Sequence, residues 1–114
     1  MSTSVTVISG EIYPVSSGQT DTGDIVLSGG TLDVLAGGTI IDTADSGTVN
    51  VSSGGTASGT TVSSGGVEDA LSGGTASNTT IFTGGVETVS ASGIDQSAKI
   101  SGGSQYSMGW LGAT

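Results

Sequence analysis

The chain is 114 residues long, enough for one domain, and holds 22 Gly, 20 Ser and 17 Thr against one Pro, four aromatic residues and no Cys or His. Without Cys or His it has no disulfide framework, thiol nucleophile, Cys/His zinc site or imidazole acid–base chemistry. One Lys against ten carboxylates gives a formal net charge of -9, which excludes nucleic-acid binding by counterion release and attraction to an anionic membrane surface.

No apolar run approaches the roughly 18 residues of a membrane span. The opening Met1-Ser2-Thr3-Ser4 lacks the basic and apolar stretches of a signal peptide. A soluble chain is expected, with any export address outside these residues. Its Gly and Ser content is that of a flexible linker, but the order of residues is not. Val and Ile number 19 against 5 Leu, and they come as short clusters between glycine pairs, which is strand chemistry with regular punctuation.

A repeat of nineteen residues runs through the chain. Residues 1–18 match its second half, with VTVISGEIYPVSSG lying over TTVSSGGVEDALSGG. Residues 19–38 fit with one extra residue, and 39–55 with two missing. Residues 56–74 (TASGTTVSSGGVEDALSGG) and 75–93 (TASNTTIFTGGVETVSASG) show it most clearly. Residues 94–114 begin as a sixth copy and then depart. Turn signals fall alternately about 8 and about 11 residues apart, each interval being one or two short strands and a corner. Glycine suits such corners because positive φ is costly for a residue with a Cβ.

This pattern predicts a single all-β domain over 1–114. It is a parallel β-solenoid of about six coils, each of about 19 residues, with the last coil atypical. Six strands at about 4.8 Å make a rod about 29 Å long. The expected inward columns are Ile12, Leu32, Val49, Val67 and Val86 on one wall, and Val15, Leu35, Leu71 and Val89 on the next. The third wall takes Val7, Ile25 or Val26, Val62, Ile81 and Ile100. Ala57, Ala76, Thr60, Thr61, Thr79 and Thr80 fill narrower places.

The units at 56–74 and 75–93, with their pattern TAxxTTV followed by GG and SGG, resemble the passenger repeats of AIDA and antigen 43 type self-associating autotransporter adhesins. The resemblance implies a right-handed, single-stranded parallel β-helix at the bacterial surface or outside the cell, acting in adhesion, autoaggregation and biofilm formation. It also implies O-linked heptose on surface serines. Ser52, Ser53, Ser63, Ser64 and Ser72, which flank the glycine pairs, are the candidate acceptors. The chain has no signal peptide or translocator barrel and fewer repeats than a usual passenger, so it is expected to be a piece of a longer protein or a short relative exported differently.

Asp33, Glu68 and Glu87 fall two to three residues after a glycine pair, which predicts a loose carboxylate ladder along one outward, solubilising edge. The competing reading is a paired-carboxylate enzyme on a polysaccharide, for which Lys99 is the lone basic partner. The calcium nonapeptide GGxGxDxUx does not occur. The pairs Asp21/Asp24 and Asp42/Asp45 read as turn residues. No cofactor and no metal is expected. Tyr106, Met108, Trp110 and Leu111 in the last unit form either a hydrophobic cap or an end-docking surface that builds a filament head to tail. The overall expectation is a non-enzymatic structural protein whose partner is itself, side to side or end to end, with a host or matrix surface as a further partner. Neither nucleic acid nor membrane insertion by this segment is expected.

Overall fold

The computed structural model describes residues 2–107 and 110–112, with side chains from 4 to 106. Every described element is a strand of two to four residues, and three strands make a coil. In chain order the coils are β1 (Ser2–Thr3), β2 (Thr6–Val7) and β3 (Ile12–Val15); β4 (Thr20–Thr22), β5 (Ile25–Val26) and β6 (Thr31–Val34); β7 (Thr39–Ile41), β8 (Ala44–Asp45) and β9 (Thr48–Val51). They continue as β10 (Thr56–Ser58), β11 (Thr61–Val62) and β12 (Val67–Ala70); β13 (Thr75–Ser77), β14 (Thr80–Phe82) and β15 (Val86–Val89); β16 (Ile94–Gln96), β17 (Lys99–Ser101) and β18 (Ser104–Ser107); and finally β19 (Trp110–Gly112). Each strand pairs in parallel with its counterparts in the coils before and after. The result is three sheets of seven, six and six strands wrapped around one interior. The longest dimension is 31 Å, as expected for six strands stacked at about 4.8 Å.

Alternation decides what is inside. In β9, Thr48 and Asn50 face out while Val49 and Val51 are buried, and β6, β12 and β15 repeat the pattern. In-register stacking turns these positions into columns. One inward column is Tyr13, Leu32, Val49, Glu68, Glu87 and Gln105. Its neighbour runs Val15, Val34, Val51, Ala70, Val89. Val7, Val26, Asp45, Val62 and Ile81 line the second sheet, and Asp21, Ile40, Ala57, Ala76 and Asp95 the third.

Several core expectations are therefore corrected. Ile12 is 68% exposed, and Val67 and Val86 stack above it on the outer, half-buried row. Leu35, Leu71 and Ile100 are exposed, Ile100 while in register with Ile81, and of Ile25 and Val26 it is Val26 that is buried; Thr61 and Thr80 sit outside while Thr60 and Thr79 are buried. The cause on the first wall is the second glycine of each pair. Gly30 is buried with its Cα turned inward, so a Cβ there would lie 2.6 Å from the Val7 carbonyl oxygen of the preceding coil. Because this glycine occupies an inward position, the next residue must point out and the one after it in.

Two kinds of corner carry the glycine pairs. The third carries a single left-handed residue, filled along the rod by Gly23, Asp42, Gly59, Asn78 and Ser97. Asp and Asn tolerate that conformation better than other residues with a Cβ. The two residues missing from the third unit come out of a corner. Ser46 and Gly47 replace a four-residue connection, and the register stays intact on both sides. The last unit also keeps register. Gln105 pairs with Glu87, and Trp110 with Ile94.

The interior changes character along its axis. One apolar cluster fills the first four coils, from Val7 and Leu32 to Val51 and Ala57. A much smaller one follows, made of Ala70, Ala76 and Val89. Val62, Ile81, Thr60 and Thr79 are buried alongside, together with the carboxyls of Glu68, Glu87 and Asp95.

Candidate functional site

Two features stand out: polar rows on the outside and a carboxyl column on the inside. On the outer face of the sheet built by β3, β6, β9, β12, β15 and β18, one row reads Pro14, Asp33, Asn50, Asp69, Thr88, Tyr106. Asn50 Nδ2 donates to Asp33 Oδ1 at 3.1 Å. Burial raises Asp69 above the usual carboxylate range, against the pull of a hydrogen bond with Thr88. Tyr106, 62% exposed, ends the row. Such a row offers donors and acceptors at the strand spacing and is suited to many weak, repeated contacts.

The serine candidates divide by corner. Ser52, Ser53 and Ser72 lie where the sheet of β9 and β12 turns toward β10 and β13, and Ser63 and Ser64 lie at the corner after β11. Ser53, Ser64 and Ser72 are exposed, whereas Ser52 and Ser63 are half-buried. Gly73 passes over Ser53, whose Oγ is 2.6 Å from the point a Cβ would take, and Gly84 passes over Ser64 at 2.8 Å. The glycine rows thus leave room for the hydroxyls of the coil beside them. Of the end-docking candidates, Tyr106 is exposed. Trp110 and Leu111 continue the β16 pairing opposite Ile94 and Asp95, and Met108 lies outside the described residues.

Glu68 and Glu87 do not form an outward edge with Asp33. Both are fully buried, in register with each other, at the column position of Leu32 and Val49. Nor are Asp21, Asp24 and Asp45 surface turn residues, since all three are buried. Only Asp42 is exposed at a corner, with φ of 57°. Gln19 Nε2 donates to Asp21 Oδ1 at 3.0 Å, and Asp24 Oδ1 accepts the Val5 amide at 2.9 Å. Asp45 Oδ1 accepts the Gly47 amide at 2.9 Å. Thr79 Oγ1 donates to Glu68 Oε1 at 2.9 Å. Gln105 Nε2 reaches both Glu87 Oε1, at 2.7 Å, and Asp95 Oδ2.

Burial disfavours the charged form of Asp24, Asp45, Glu68, Glu87 and Asp95. It pushes Glu68 up to about 7, against the downward pull of Glu87, Thr79 and Thr60. Glu87 rises to about 8 by burial and then by the Glu68 carboxyl, against the downward pull of hydrogen bonds with Asp95 and Gln105, and Asp95 rises to about 8 by burial and then by Glu87. Asp45 rises to about 8 by burial, despite the Gly47 amide, and Asp24 to about 6 by burial and the nearby Asp21. The formal charge of -9 thus overstates the charge the folded chain carries at pH 7. Glu68 and Glu87 are thus enclosed in the core rather than presented on the surface.

No protein-family model and no curated protein matches the chain. Among solved structures, the crystal structure of a TibC-catalysed, hyper-glycosylated TibA55-350 fragment matches 92% of this chain at 36% identity, with a TM-score of 0.86. The chain spans 41% of that fragment. In fold and in sequence this protein is similar to a β-solenoid segment of a glycosylated TibA fragment.

Proposed function

We propose that the chain is part of the passenger β-solenoid of an autotransporter adhesin, displayed at the cell surface or outside the cell and acting non-enzymatically by self-association in adhesion, autoaggregation and biofilm formation. The observation that supports this most is the 36% identity to the TibA fragment over nearly the whole chain. It agrees with the AIDA and antigen 43 type resemblance of the repeats. Copies associate side by side through the outer row of Asp33, Asn50, Asp69 and Thr88, each contact weak and the sum appreciable. Exposed Ser53, Ser64 and Ser72 accept O-linked sugar, as the glycosylation of the TibA fragment supports. A host or matrix surface is a second partner of the same face.

A second reading, end-to-end assembly into a filament, draws on the in-register pairing that runs through β18 and β19. Two variants separate them in a light-scattering concentration series. Asn50→Lys breaks the outer row and is expected to lower lateral association, whereas Trp110→Ala is expected to associate as wild type does. Loss of association in Trp110→Ala, with Asn50→Lys unchanged, refutes the lateral reading in favour of the filament.

A further inference from the structure

We propose that the solenoid is proton-gated: Asp45, Glu68, Glu87 and Asp95, enclosed in its core with no basic side chain beside them among the described residues, must hold protons for the coils to close, so the rod is tight in mild acid and loosens as pH rises through neutrality. Glu68 and Glu87 stand on adjacent strands in direct register. Gln105 ties Glu87 to Asp95. Glu68 Oε2, Glu87 Oε2, Asp95 Oδ1 and Asp45 Oδ2 are all enclosed without a hydrogen-bond partner.

Among the described residues, the groups facing the column offer no compensating charge. Glu68 meets Val49 from β9, Glu87 from β15 and the Thr60 and Thr79 corner positions, with Asp45 as its remaining charged neighbour. Asp45 has Val26 and Val62 above and below it in register, and Asp69 acts on it from the outer face. Asp95 stacks on Ala76 and faces Glu87 and Gln105. Lys99, the one basic side chain of the sequence, is exposed in register with Thr80 on the outer row. Carboxylates crowded together away from water cannot all ionise, so folding at neutral pH takes up protons.

The sign follows from linkage. The folded state holds its protons to higher pH than the unfolded chain, so its stability is greatest below the ordinary carboxyl range. That stability is lost as pH rises from there through about 8. Each proton taken up on folding lowers the folded-to-unfolded ratio about tenfold per pH unit.

The test is urea unfolding of the full chain, followed by circular dichroism at half-unit steps from pH 5 to pH 9. Wild type is expected to lose at least about a thousandfold in that ratio per unit between pH 5 and pH 7, and the triple variant E68Q/E87Q/D95N, which keeps Asp45, at most about a hundredfold. A flat or rising wild-type profile, or an unchanged slope in the variant, overturns the proposal. Should the variant not fold, carbon-13 titration of wild-type carboxyls decides. Resonances still protonated at pH 6 support the gate, and ten carboxyls all titrating between about pH 3 and 5 refute it.

Discussion

Replacing Glu68 by Met exchanges a buried acid for an apolar side chain of similar length, and the effect should change sign with pH. At pH 4 the wild-type carboxyl is neutral in both the folded and the unfolded chain. The substitution then removes the 2.9 Å hydrogen bond from Thr79 and leaves that hydroxyl enclosed, costing about 1 kcal/mol. Above neutrality the unfolded chain ionises Glu68 freely, whereas the folded chain resists until about pH 7, against an ordinary value of 4.5. That difference of about 2.5 units lowers wild-type stability by about 3 kcal/mol at about 1.4 kcal/mol per unit. Glu68→Met escapes this loss, so at pH 9 it should be about 2 kcal/mol more stable than wild type, with the crossover between about pH 5 and 6. Urea denaturation followed by circular dichroism at pH 4 and pH 9 measures both ends. A variant equally destabilised at both pH values would refute the burial of this carboxyl.

The inside and outside of the first wall make a paired prediction. Leu32→Ala, in a fully buried column position, should cost about 2–5 kcal/mol, whereas Ile12→Ala, at 68% exposure, should stay within about 0.5 kcal/mol, as thermal melts will show. Ser92 holds φ of 68° in a corner row otherwise filled by Gly18, Gly37, Gly54 and Gly73. Ser92→Gly should therefore raise stability by up to about 1 kcal/mol, and a lowered melting temperature would contradict the left-handed assignment. Coexpression with the TibC glycosyltransferase should add sugar mass to exposed Ser53, Ser64 and Ser72, read by peptide mass spectrometry. Sugar confined to the half-buried Ser52 and Ser63 would count against the proposed acceptors.

The repeat length and the two glycine-paired corners were legible in the sequence because a tight corner admits few residues besides glycine. The third corner was not, since Asp42, Asn78 and Ser97 fill it as well as Gly23 and Gly59. On the first wall the buried second glycine before Val67 and Val86 takes an inward position, so both face out; Ile12 follows Glu11 instead and faces out on the same row. Charge concealed the carboxyl column. Glu68 and Glu87 are the second residues after a glycine pair, as Leu32 is, and after Gly47 comes Val49 in the same place. That shared position marks them as inward, against the general preference of acids for the surface. The volume relation was also readable. In the fourth and fifth coils the long acids share a coil with Ala57 and Ala76 on the third sheet, small residues that leave space for them.

Self-association is the central functional claim, and negative-stain electron microscopy beside light scattering, on purified chain over a wide concentration range, tests it most directly. The account predicts rods that pair side by side as concentration rises. Single short particles at every concentration would contradict it, and filaments with a repeat of about 29 Å per subunit would move the contact from the outer rows to the ends.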